Sequence, residues 1–268
     1  MRNFLLIANE GKPAAMEVAG QVEEYLIGRG CICTREVTEG TQCVLVFGGD
    51  GTLLQAARDL REHDLPFLGI NLGTLGYLAE VDKDDVYEAL ELIITDTATS
   101  EQRMMIHGRV CRGDQTLYED VALNDIAIGS MGLTVLHFRV YVNGRYLTTY
   151  QGDGMVVATP TGSTAYSLSA GGPVVSPQAS MMVLTPVSPH TLFSRSIVLE
   201  GDCQIELEIL PHPSRQDVVG YVGLDGNQVM TLEPGDRIQI RRSELTTDII
   251  KYNDLSFIET LRMKMGDR

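Results

Sequence analysis

The chain has 268 residues, 44% of them apolar, and a formal charge of −15. That length suffices for two domains that each bury a core, no apolar run approaches the roughly 20 residues a membrane helix needs, and so acidic a chain disfavours nonspecific nucleic-acid binding, which depends on clustered Lys and Arg. The acidity leaves a small anionic ligand possible, because backbone amides, helix N-termini and Mg²⁺ hold phosphates locally.

Phe4 to Ala8 is too short for a signal-peptide core and reads as a first buried strand. A helix near Pro13 to Gly28 follows, then a strand over Val44 to Phe47, a helix from Leu53 to Arg61 and a strand over Pro66 to Ile70. This alternation predicts a parallel sheet covered by helices. Val86, Leu90 and Ile93/Ile94 place another amphipathic helix within Asp82 to Ile94.

After about residue 100 the pattern changes to strand runs separated by Asn143-Gly144, Asp225-Gly226 and Pro234-Gly235-Asp236, which predict hairpins in a mostly antiparallel β domain. Phe138 to Val142, Ile205 to Ile209 and Ile238 to Ile240 alternate apolar and polar positions, as strands with one buried face do. Leu255, Ile258, Leu261 and Met265 predict a terminal helix. The expected division is 1–100, with a tail at 252–268 docking back on it, and 101–251. Cys31, Cys33, Cys43, Cys111 and Cys203 form no zinc-type pairs, and with no secretory signal evident they are expected to be reduced in a cytoplasmic protein.

Two stretches carry chemistry. In the first, Val44 to Phe47 runs into Gly48, Gly49, Asp50, Gly51 and Thr52. Glycines after a strand let a nucleotide approach the backbone, and the amides opening the next helix point at an anion. Asp50 beside phosphates either works with a compensating metal or accepts a proton from an attacking hydroxyl; the same residues also make an ordinary turn. The second stretch, Gly152 to Pro173, is rich in hydroxyls and glycine and holds one aromatic, Tyr166. It reads either as a ligand-approaching loop with a stacking ring or as a hairpin connection with that ring in the core. No Walker-type Gly-Lys-Ser/Thr is present, and the lysines are Lys12, Lys83, Lys251 and Lys264, so a nucleotide donor would be held by backbone amides and Mg²⁺.

Together with Asn71 to Glu80, Leu123-Asn124-Asp125 and His190 to Arg195, these stretches resemble the NAD kinase family across nearly the whole chain. The Gly-Gly-Asp-Gly-Thr segment is shared with lipid kinases; the Asn124 and Thr164-Ala165-Tyr166 segments are more specific to NAD kinases. The resemblance implies an α/β Rossmann-like N-terminal domain, a β-sandwich-like C-terminal domain, and homo-oligomers, tetramers or dimers. It implies ATP-dependent phosphorylation of the 2′-hydroxyl of the adenosine ribose of NAD, with a divalent metal, giving NADP.

By the same resemblance Asp50 is the proton acceptor, Gly48, Gly49, Gly51 and Thr52 serve the phosphates and ribose, and Asn124 and Asp125 meet the adenine edge and ribose. Thr164, Ala165, Tyr166, Ser167, Leu168 and Ser169 line the dinucleotide, Tyr77 closes the adenine site, and Asp153 binds the nicotinamide part across a subunit interface. Asp225 and Asn227 are weaker candidates, since Leu-Asp-Gly-Asn is also a hairpin turn. Gln151 stands where many members carry a basic residue, which implies weaker salt dependence of NADP binding. A lipid kinase would need a membrane-facing surface, for which no basic amphipathic helix is evident; a noncatalytic dinucleotide sensor would keep the pocket without turnover. No nucleic-acid or membrane partner is expected.

Overall fold

The computed structural model describes residues 1–73, 76–79, 81–132, 134–191, 194–213, 219–252 and 257–266. They form two compact units, Met1–Arg103 with Thr246–Arg268, and Met104–Leu245.

The first unit opens β1 (Asn3–Ala8), α1 (Pro13–Gly28), β2 (Ile32–Thr34), β3 (Cys43–Gly48), α2 (Asp50–Asp59), β4 (Phe67–Asn71), β5 (Val81–Asp82) and α3 (Val86–Ile94). Its sheet is parallel, in the order β2-β1-β3-β4 with β5 beside β4. Every residue of β3 and β4 is buried, the reason these strands read as continuous apolar runs. Pro13 starts α1, where its missing N–H costs nothing, and Ala15, Ala19, Val22 and Leu26 turn one face of α1 into the core. Val86, Leu90 and Ile93 of α3 enter the same cluster, with Phe4, Leu45, Phe47 and Ile70.

The second unit takes β6 (Thr99–Arg112), β7 (Gln115–Ala122), β8 (Asp125–Ser130), β9 (Leu136–Val142), β10 (Arg145–Gly152), β11 (Gly154–Ala158), a 3₁₀ turn (Thr161–Thr164), α4 (Tyr166–Ser169), β12 (Met181–Val187), β13 (Ile197–Glu200), β14 (Ile205–Ile209), β15 (Gly220–Leu224), β16 (Asn227–Leu232) and β17 (Asp236–Lys251). β6 and β17 each run through a boundary between the units, at 103/104 and at 245/246. One antiparallel sheet runs β13-β12-β11-β8-β15-β16. In the other, β10-β9-β14-β17 are neighbours and β6 joins β17 to β7. Ile126, Ile128, Met155, Val157 and Val222 of the first sheet share one core with Phe138, Val140, Ile205, Leu207, Ile238 and Ile240 of the second, a β-sandwich. Ala127, Val156, Ala158 and Val183 are buried on the opposite face, which accounts for the unbroken apolar run of β11.

Asn143-Gly144 and Asp225-Gly226 turn their hairpins with all four residues at positive φ. The last element, α5 (Phe257–Met265), belongs to the first unit. Its expected apolar stripe is corrected at Ile258, which is 67% exposed, while Thr260 is buried; Leu255 lies outside the described residues. Among the described residues no helix is long and apolar enough to cross a membrane.

Candidate functional site

α2 begins at Asp50, not Leu53, with Gly49 as its extended N-cap and no side-chain cap. Asp50, Gly51 and Thr52 are therefore its first turn; the Thr52 N–H already donates to Gly49 O at 3.0 Å, the N–H groups of Asp50 and Gly51 precede the first intrahelical acceptor, and Asp50 complements the positive end of the helix dipole. Gly48 is required by packing: a Cβ there would lie 2.4 Å from Thr52 Oγ1. Thr52 Oγ1 instead accepts from Asn9 Nδ2 at 3.2 Å. At Gly49 and Gly51 a Cβ would meet nothing within 4 Å among the described residues, so the bare backbone there leaves the helix start open.

The Asp50 carboxylate is held by the segment after β4. Its Oδ2 accepts the Tyr77 N–H at 2.8 Å, and its Oδ1 accepts those of Leu78 at 3.1 Å and Ala79 at 3.0 Å. Gly69 of β4 brings this segment close, since a Cβ there would fall 2.7 Å from Ala79 Cα and 2.8 Å from Leu53 Cδ1. A carboxylate has about four acceptor positions; among the described residues both on Oδ1 are used and the remaining one is on Oδ2. Tyr77 is half-buried, with Lys264 Nζ 4.5 Å from its ring centroid. Burial and then the charge of Asp50 push its phenol pKa up. Thr74, Leu75 and Glu80 of the same stretch lie outside the described residues.

In the second unit a cavity of about 540 Å³ is lined by Asn124, Asp125, Ala165 and Tyr166, all expected. Ala127, Tyr221, Gly223 and Gln228, which sequence reasoning missed, complete it with Asp225 and Gly226. Gln228 follows the named Asn227; Asn227 itself does not line the cavity. Nothing in the sequence marked Tyr221, whose position depends on Gly129, where a Cβ would lie 2.5 Å from the tyrosine ring.

The 3₁₀ turn is strapped to the Leu123–Asn124 corner. Thr159 Oγ1 donates to Leu123 O at 2.6 Å and Thr159 N–H to Asn124 O at 2.8 Å, and a Cβ on Gly162 would sit 2.0 Å from Asn124 O. Tyr166 is 42% exposed, so its ring is not a core residue. Leu168 and Ser169 are also exposed, and Thr164 is half-buried with its hydroxyl donating back to Thr161 O at 3.2 Å.

Ser167 is fully buried and its hydroxyl pairs with Thr185 Oγ1 at 3.0 Å. Gln151 and Asp153 are exposed and are not among the cavity residues. Leu192 and Phe193 of the His190–Arg195 stretch lie outside the described residues.

Asp125 is buried, and desolvation followed by the charge of Asp225 pushes its pKa up to about 7. Among the described residues, three ligating side chains of the metal-binding types converge at Glu200, Asp202 and Cys203, outside both stretches just described.

A parallel α/β unit presenting a glycine–aspartate helix start, and a β-sandwich carrying an open cavity with amide, carboxyl and aromatic groups, define a nucleotide-directed kinase. Residues 32–98 match the ATP-NAD kinase N-terminal domain and residues 123–252 the ATP-NAD kinase C-terminal domain. The chain is 42% identical to an NAD kinase of Agathobacter rectalis, over 100% of this chain and 99% of that protein. An NAD kinase of Lachnospira eligens is 38% identical, over 99% and 100% respectively. Yeast NADH kinase complexed with NADH shares the fold, with a TM-score of 0.92 and 21% identity over 100% of this chain and 88% of that one. An Archaeoglobus fulgidus NAD kinase in complex with ATP gives a TM-score of 0.75 and 25% identity over 94% of each chain. The chain belongs to the ATP-NAD kinase family.

Proposed function

We propose that this chain transfers the γ-phosphoryl group of ATP to the 2′-hydroxyl of the adenosine ribose of NAD, with Asp50 as proton acceptor. The observation that carries the mechanism is the Asp50 carboxylate, oriented by three backbone amides with one acceptor position left on Oδ2. Accepting the hydroxyl proton there strengthens the attacking oxygen, and rigid orientation means that little is lost to reorganisation in the transition state. The open backbone at Gly49 and Gly51 and the amides opening α2 suit the donor phosphates. Asn124, Asp125 and Tyr166 suit adenosine, Tyr166 through its exposed ring.

Mg²⁺ neutralises phosphate charge as it develops in such transfers. Because no three-ligand cluster of the described residues lies at the α2 start, the ion would be held chiefly by phosphate oxygens. A cytoplasmic location is part of the same proposal, supported by five cysteines that are all free. So is a homo-oligomer, supported by the exposure of Asp153 outside its own chain's cavity, which leaves it open to ligand on a second copy.

The test is incubation with NAD, ATP and Mg²⁺, reading NADP with an NADP-specific dehydrogenase, beside Asp50→Asn. Native protein is expected to make NADP, and the variant to lose about 10²- to 10⁴-fold in turnover. Near-normal turnover in the variant would remove Asp50 from the mechanism.

A further inference from the structure

The Leu123–Asn124 corner between β7 and β8, with Asp125 at the start of β8, supplies two of the polar groups of the cavity. Its three consecutive N–H groups converge on one carboxylate from the β15–β16 hairpin. Asp225 Oδ2 accepts from Leu123 at 3.0 Å, and Oδ1 accepts from Asn124 at 2.7 Å and Asp125 at 3.2 Å. In return the Asp225 N–H donates to Asp125 O at 3.0 Å. Asp225 sits at φ 49° at the turn, so hairpin geometry aims its side chain across the sheet edge.

We propose that Asp225 is a positioning residue for NAD: it fixes the Asn124–Asp125 corner through the backbone and sets its own carboxylate beside that of Asp125, which serves the ligand as a hydrogen-bond donor. This rests on the functional reading above. Three converging amides are the arrangement that keeps a carboxylate ionised, so Asp225 carries the charge and the buried Asp125, beside it, the proton. Among the described residues, the titratable groups that line the cavity with Asp125 are Asp225 at the hairpin, Tyr221 on β15 and Tyr166 on α4, with Tyr221 and Asp153 acting on Tyr166 in turn. β11, paired to β8 through Ala158↔Asp125, brings no charge, and among the described residues no Lys, Arg or His lines the cavity. A phosphate-bearing ligand brings further negative charge, which favours the neutral form of Asp125.

The experiment is calorimetric NAD binding between about pH 5 and about pH 9 for the full chain, Asp225→Asn and Asp125→Asn, with circular dichroism as the folding control. Native affinity is expected to weaken as pH rises through the Asp125 titration, by up to about tenfold per pH unit for a single linked proton. Asp225→Asn keeps the Oδ1 bonds but turns an amide N–H₂ against the Leu123 N–H. Its affinity is expected to drop about tenfold and its midpoint to move to lower pH. Asp125→Asn is expected to lose the pH dependence, and serves alone if Asp225→Asn does not fold. Native binding whose slope survives in Asp125→Asn, or a folded Asp225→Asn with native affinity and midpoint, overturns the proposal. Absence of NAD binding by native protein at every pH overturns the functional reading itself, and the proposal with it.

Discussion

A Cβ on Gly76 would lie 1.9 Å from Asp50 Oδ1. The segment that clamps the carboxylate can come this close only because it begins with a residue that has no side chain. Gly76→Ala would push Asp50 off the amides of Tyr77, Leu78 and Ala79, leaving backbone donors unsatisfied at a cost of about 1–3 kcal/mol. We expect turnover to fall by about 10²-fold or more with Asp50 still present. Steady-state kcat beside the thermal midpoint checks this; native kcat in the variant would show that the clamp does not orient the base.

Arg112 and Asp236 make an ion pair with a fully buried carboxylate in the β-sandwich unit, with Nε 2.7 Å and Nη2 2.9 Å from the two carboxylate oxygens. Asp236 has no exposed surface, whereas the Arg112 side chain is 42% exposed. Arg112→Ala strands a buried charge that also caps the Glu233 N–H. The expected loss is about 3 kcal/mol, the low end for breaking a buried pair because one partner is wet, measured by urea unfolding. Arg112→Lys is expected to restore only part of it, since an ammonium cannot bond both oxygens in parallel.

The raised pKa of Asp125 has a definite sign for stability. Its folded value of about 7 lies above the ordinary aspartate value of 3.8, so between these limits the native state binds more protons than the unfolded state. This group's contribution therefore declines as pH rises from about 4 to about 7. Relative to native protein, Asp125→Asn is expected to be more favoured at about pH 8 than at about pH 5. Urea midpoints of both proteins at the two pH values check it; a constant difference would place the titration elsewhere.

Gln151 is exposed on β10; under the proposed function a neutral amide at this position offers NADP no ionic contact from its own side chain. Gln151→Arg is expected to tighten NADP at low salt and to steepen the loss of affinity with added salt. Affinities at two salt concentrations decide it, and identical slopes in both proteins would refute the ionic reading.

The sequence by itself determined the elements whose side-chain pattern is local. The apolar runs at Val44 to Phe47 and Pro66 to Ile70 read as buried strands, Pro13 and the period of Ala15, Ala19, Val22 and Leu26 defined α1, and Asn143-Gly144 and Asp225-Gly226 marked hairpin turns, whereas Pro234-Gly235-Asp236, which carries the same signal, joins strands of two different sheets. The glycines before Asp50 hid the start of α2, because poor helix formers at a first turn cost little once the strand and helix flanks are packed. Tertiary structure alone decided which groups hold the candidate site together. That Asp50 would be clamped by residues 77–79 and the 123–125 corner by Asp225 depends on hydrogen bonds across 27 to 102 positions of the chain. Ser167 and Ser169 look alike in sequence, yet one is sealed against Thr185 and the other is exposed. Such choices are made by chain packing, which brings together groups whose sequence neighbours carry no trace of the partner.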